Sequence, residues 1–214
     1  MNNSSVTRLC RLLAAGLSLI ALSACNTLRP AATPHPAFYS LDGTPSAAPA
    51  AASAAAPTLM INPPHAAAGF DSQRIIYVRE AHQLEYFAHS EWVDPPARML
   101  TPLLVAAIGN TGAFRAVALT PSSAAGDLRL DTEIIRLQHE FGTQPSRVRF
   151  TLRAYLVDDK TRRVLAWREF DAAIPAASAD PYGGVVAANR AVQTVLEDLA
   201  GFCAEAVRSA PLAK

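Results

Sequence analysis

Three long alternating runs between Asp127 and Ile174 constrain the fold more than any other feature of the chain. Val148, Phe150, Leu152, Ala154 and Leu156 alternate with Arg147, Arg149, Thr151, Arg153 and Tyr155. That period of two belongs to a strand with one buried face. Asp158 to Arg163 reads as its turn, and Val164 to Ile174 as the returning strand. Upstream, Leu128, Leu130, Thr132 and Ile134 alternate, and then the parity switches to Ile135, Leu137 and His139. A phase switch inside a strand marks a β-bulge. Long strands joined by short connections pair antiparallel.

A sheet with one apolar face needs cover, and two segments supply it. After Asp180-Pro181, the residues Val185, Ala188, Val192, Val195, Leu199, Phe202 and Ala206 recur at spacings of three and four. The stripe would also suit a coiled-coil seam, but the alanines at many other positions favour a single helix lying on a sheet. A shorter helix starts at Asp94-Pro95-Pro96, with Asp94 as N-cap and proline in the first turn. Leu100, Leu103, Leu104, Ala107 and Ile108 form its inner face, and Asn110-Thr111-Gly112 ends it. Pro102 removes an interior hydrogen bond, which predicts a kink or a restart capped by Thr101. Short strands are expected at Ala37–Leu41, Thr58–Ile61, Arg74–Arg79 and Phe114–Leu119. Gln83–Trp92 reads as the hairpin partner of Arg74–Arg79. The class is α+β, a mostly antiparallel sheet with two helices packed on one face.

The N-terminus is organised differently. Met1 to Arg11 holds two arginines and no acids, Leu12 to Leu22 is apolar, and Leu22-Ser23-Ala24-Cys25 closes the segment. This is a secretory signal of the lipoprotein type over 1–24, about half the length of a membrane span. Cys25 is the lipidation site, and several acyl chains at about 0.8 kcal/mol per buried methylene anchor firmly. Asn26 follows Cys25 in place of the aspartate that retains lipoproteins in the inner membrane of enteric bacteria, so the periplasmic face of the outer membrane is expected. Residues 25–36 form a lipidated tether whose proline-containing segment reaches at most roughly 35 Å. Residues 37–210 form a single domain, interrupted by a flexible Ala/Pro/Ser insert at 42–57.

Without the signal, 17 Lys and Arg face 18 Asp and Glu, a formal charge of −1. Nothing in that balance points to nucleic acid. With Cys10 removed and Cys25 lipidated, Cys203 is the one remaining thiol, so no internal disulfide forms. His35, His65, His82, His89 and His139 lack metal-ligand spacing and read as polar surface residues. No nucleophile motif appears, and no cofactor, metal or catalytic residue is expected. Gly183-Gly184 reads as a helix entry. Arg147, Arg149 and Arg153 lie opposite the apolar face of their strand and make it basic. Cross-strand ion pairing with Glu133, Glu169 and Asp171 accounts for them, while a polar docking surface is the sharper alternative. Tyr86 and Trp92 are the candidate aromatic contacts, in a group of rings of which most belong to the core.

Several segments in order carry a family resemblance. They are the Cys25 lipobox, Phe38-Tyr39-Ser40-Leu41, Arg74-Ile75-Ile76-Tyr77-Val78-Arg79 and Leu84-Glu85-Tyr86-Phe87-Ala88. Trp92 with Pro95-Pro96, Gly112-Ala113-Phe114-Arg115-Ala116-Val117 and the last helix follow. The chain resembles the ABC-type transport auxiliary lipoprotein family, the PqiC-like group. The insert at 42–57 and Pro102 depart from its pattern. The resemblance implies a domain shaped like the N-terminal domain of TolB and a non-enzymatic role. It implies an MCE-type periplasmic protein as partner and, through it, an ABC permease and ATPase, with the lipoprotein docking the MCE component to the outer membrane during lipid or organic-solvent transport. It carries over Cys25, with Tyr39, Tyr86 and Trp92 as family-typical positions of unassigned role. Self-association stays open. The alternative is a periplasmic lipid-binding lipoprotein that itself carries an apolar ligand, which needs a pocket of several hundred Å³.

Overall fold

The meander expected from the alternating runs forms the centre of the sheet. β7 (Leu128–Glu140) pairs antiparallel with β8 (Arg147–Asp158), from Leu128 opposite Asp158 to Glu140 opposite Arg147. β8 pairs antiparallel with β9 (Val164–Pro175). The β7–β8 register shifts between Ile134 and Arg136. That bulge keeps Leu128, Leu130, Thr132 and Ile134, and then Leu137 and His139, on the buried face. This computed structural model describes residues 35–42 and 50–209. The signal segment, Cys25 and the tether as far as residue 34 lie outside the described residues, as do positions 43–49 of the insert.

The other edge of β7 is shared by three short parallel strands. β2 (Thr58–Ile61) runs beside Leu128–Leu130, β3 (His65–Ala66) beside Glu133 and Ile134, and β4 (Arg74–Val78) beside His139 and Glu140. Pro63-Pro64 separates β2 from β3, because proline cannot donate to a ladder. The sheet then spreads in two directions. β4 pairs antiparallel with β5 (Glu85–Trp92), and β1 (Ala37–Tyr39) closes that side parallel to β5. On the other side β6 (Ala116–Leu119) lies parallel to β2. The long ladders are antiparallel and the short flanking strands mostly parallel, so the sheet is mixed and the α+β class stands.

Two helices cover the apolar side. α1 (Pro96–Gly109) buries Leu100, Leu104 and Ile108 completely. Pro95 occupies its N-cap position, with no side-chain cap, and Asp94 instead pairs with Arg98 at 3.5 Å. The helix continues through Pro102 without a restart, and Thr101 donates back to the Ala97 carbonyl at 3.1 Å. Pro102 and Arg98 both lie on the exposed side, where the carbonyl released by proline is open to hydration. α2 (Pro181–Ser209) is roughly 44 Å long and packs across β8, β9 and α1. Val185, Ala188, Val192, Val195, Leu199 and Phe202 are all buried. They face a sheet and another helix, so the stripe is a core stripe.

The second half of the insert is tied to the domain. Ala50 donates its N–H to the Asn110 carbonyl at the end of α1, at 3.2 Å. Gly112 lies beside it at φ +66°, and a Cβ there would come within 2.9 Å of the Ala50 side chain. Glycine serves both the left-handed turn and this close approach.

Candidate docking surfaces

Strand register sets the character of the outer sheet face. Glu133, Arg153 and Glu169 stand abreast on β7, β8 and β9. Arg153 reaches Glu133 at 3.3 Å and Glu169 at 3.0 Å. Arg149 donates through Nε and Nη2 to Asp171 at 3.1 Å. That hydrogen bond, joined by one from Thr151, holds the Asp171 carboxyl below the usual aspartate range. Arg147 pairs with Glu140 at 2.9 Å. Burial opposes ionisation of Glu140, yet hydrogen bonds from Arg147 and Gln138 bring its pKa below the ordinary value. Arg129 spans Asp131 and Asp159.

In this lattice four arginines meet six carboxylates. The face that reads as basic along β8 alone is therefore neutralised by its neighbours. Exposed pairs of this kind contribute about 0–1 kcal/mol each to stability. They order the surface and leave Arg147, Arg149 and Arg153 already paired.

The two aromatic candidates part company. Tyr86 is half exposed, with the Arg74 guanidinium 4.1 Å above its ring. Trp92 is 3% exposed and belongs to the core, so it offers no ring to a partner. Even spacing places the two on one side of an ideal strand. The β4–β5 register breaks between Arg74, opposite Glu91, and Ile76, opposite Tyr86. The irregularity turns the end of β5 inward. Phe87 packs beside Tyr77, with ring centres 4.6 Å apart, and Tyr77 donates to Glu85 at 3.0 Å.

His139 also departs from its sequence reading. His65, His82 and His89 are exposed, but His139 is 2% exposed, because the bulge in β7 swings it to the core side. Its Nε2 lies 2.9 Å from Ser146 Oγ and its ring 4.2 Å from that of Phe141. Nδ1 has no partner and faces Gly184 in the first turn of α2. Burial lowers its pKa, and the nearby Asp180 opposes that shift. Asp180 itself accepts from the Gly183 N–H at 2.7 Å, capping the helix. A residue larger than glycine at 183 or 184 would collide with Ser178 or His139, so the Gly-Gly pair lets the helix enter close against the sheet.

Cys203 is buried, and desolvation pushes its thiol up to about 12. Among the described residues no group of three or more His, Cys, Asp or Glu is placed to hold a metal ion. No described helix is long and apolar enough to cross a membrane.

Comparison with known proteins places these features in a lineage. A family model described as "ABC-type transport auxiliary lipoprotein component" matches residues 39–200. The structure is similar to that of protein XCC0632 from Xanthomonas campestris, with a TM-score of 0.72 at 25% identity, over 80% of this chain and 96% of that one. The crystal structure of an uncharacterized protein gives a TM-score of 0.62 at 12% identity, over 79% of this chain and 99% of the other. At that identity the likeness is one of fold. No curated protein matches the sequence.

Proposed function

Because the chain belongs to the ABC-type transport auxiliary lipoprotein family, we propose that it docks the periplasmic MCE component of a lipid or organic-solvent transport system to the outer membrane. The family match across the folded region carries this reading, and the Leu22-Ser23-Ala24-Cys25 pattern upstream supplies the anchor. Membrane attachment raises the local concentration of the lipoprotein at the bilayer, so modest affinity for the partner suffices. Transported lipid then passes through the partner's conduit and not through this domain.

The core supports an adaptor over a carrier. An apolar ligand needs several hundred Å³ of enclosed space. The internal void among Ile75, Trp92, Leu137, His139, Val148 and Ala188 measures about 10 Å³, and the larger cleft of about 440 Å³ beside β1 is open to solvent. Tyr86 with Arg74, and the ion-pair lattice around Arg149 and Arg153, are the surfaces proposed to meet the partner.

The test is purification of the full lipidated chain in mild detergent, followed by native mass spectrometry with and without an MCE-type periplasmic protein. The adaptor reading expects partner binding and no bound lipid beyond the anchor. One non-covalent lipid per chain without partner binding would establish the carrier alternative instead.

A further inference from the structure

At the start of the fold, β1 and the first turns of α2 enclose an open cleft of about 440 Å³. Two large rings stand out of it into solvent. Phe38 is 57% exposed and Tyr182 65% exposed. Val185 and Val186 line the apolar wall, and Arg190 sits at the rim. A polar clasp ties the two walls of the cleft together. Asn189 donates to the Ser40 carbonyl at 3.1 Å and accepts from the Asp42 N–H at 2.8 Å. Leu41 is buried beside α1. The rings are therefore displayed from a fixed frame.

Folding gives no reason to leave both rings in water. Tyr39, the neighbour of Phe38, packs against the core, while Phe38 points the other way on the sheet's edge strand. Tyr182 follows the helix cap at Asp180 and makes no ring contact with the core cluster. Exposed aromatic pairs on an ordered surface mark a contact with a partner or a membrane.

We propose that this cleft is a membrane seat, in which Phe38 and Tyr182 enter the headgroup region of the bilayer that carries the lipid anchor. Chain connectivity selects the bilayer as occupant. Asn26 to Pro36 is the whole span between the lipidated cysteine and β1, and it reaches at most roughly 35 Å. β1 is itself a wall of the cleft, so the anchor enters the domain at this place. Aromatic rings with an apolar body suit the interface between acyl chains and headgroups. Arg190 at the rim faces the level of the lipid phosphates. A domain seated this way holds one orientation above the membrane and presents its opposite end to the periplasm. The inference rests on the lipoprotein reading of Cys25.

The experiment uses the full lipidated chain in vesicles of phosphatidylethanolamine and phosphatidylglycerol containing doxyl-labelled lipid. A fluorophore is attached to a single new thiol, Val186→Cys in the cleft or Glu169→Cys on the outer face. Cys203 is buried and stays unlabelled. Quenching at position 186 should exceed that at 169 by roughly threefold or more, as for a probe inside the interface against one above it. Phe38→Ser with Tyr182→Ser should bring position 186 down to the level of 169 without changing the melting temperature, and tryptophan at both positions should keep the quenching. Equal quenching at the two sites on vesicle-bound protein would refute the seat and leave the anchor standing. Failure of the unlabelled chain to float with vesicles would overturn the anchor and the seat together. A dimer in sedimentation that the double serine variant abolishes would assign the cleft to a second copy and refute the membrane as occupant.

Discussion

The contact between Gly184 and His139 gives a sharp stability prediction. A Cβ at position 184 would lie 2.6 Å from His139 Nδ1 and 3.3 Å from Cε1. The imidazole has little room to retreat, because Ser146 holds its Nε2 and Phe141 flanks the ring. Forcing a methyl into such a site costs about 1–3 kcal/mol, while replacing glycine in a helix returns about 0.5–1 kcal/mol. Gly184→Ala should therefore destabilise the domain by up to about 2.5 kcal/mol, lowering the melting temperature by roughly 2–4 °C per kcal/mol for a domain of this size. In a His139→Ala background the obstruction is gone, and the same substitution should be neutral or stabilising by up to about 1 kcal/mol. Urea unfolding of the four proteins, each carrying Cys25→Ser for solubility, closes the cycle. A coupling energy below about 0.5 kcal/mol would mean that helix and strand are not packed at this distance, and the account of the Gly-Gly entry would fall with it.

His139 also predicts a pH dependence. Its pKa is lowered in the folded domain by burial, with Asp180 opposing, and returns to 6.5 on unfolding. The unfolded chain then binds the extra proton, so stability is full above that value and drains as the pH falls below it, until the folded pKa is reached. His139→Gln should remove this component, and a wild-type-minus-variant difference that stays flat from about pH 7 to about pH 5 would refute it. Leu199→Ala, at a fully buried position on α2, should cost roughly 2–5 kcal/mol; a loss below about 0.5 kcal/mol in denaturant titration would contradict its core placement. Arg153→Ala should change stability by less than about 1 kcal/mol, because both of its pairs are solvated. Cys25→Ser should leave the domain folded and release it from membranes in detergent-free fractionation, and full retention with the outer membrane would show another anchor.

Long elements were legible in the sequence because each repeats its own period many times. The alternation of β7, β8 and β9 and the stripe of α2 resist local noise. The parity switch at Ile134-Ile135 alone located the bulge. β1, β2, β4 and β6 were also located, and with them the β4–β5 hairpin, but β3 was not, nor was any pairing of a short strand with β7. β2, β3 and β4 all lie along one edge of β7 in parallel, an arrangement that no local pattern encodes. Pro102 illustrates the limit of a propensity rule. The rule foresees a lost hydrogen bond, and an exposed helix face backed by Leu100, Leu104 and Ile108 tolerates that loss.

The surface was less legible, for a related physical reason. Along β8, Arg147, Arg149 and Arg153 make a basic row. Their counter-charges sit on β7 and β9, brought abreast by registers set elsewhere. Glu133 and Glu169 are 36 positions apart in the chain and share one guanidinium. Trp92 and His139 moved inward for the same kind of cause, a break in pairing that changes which way a side chain points. Phe38 and Tyr182 are the converse case. Tyr39 and Gly183, their neighbours in sequence, turn toward the core, and only the docking of β1 against α2 brings the two rings to one cleft. A residue's type suggests what it is able to contact, but the pairing of distant strands and helices decides whether it meets the core, a counter-ion or solvent.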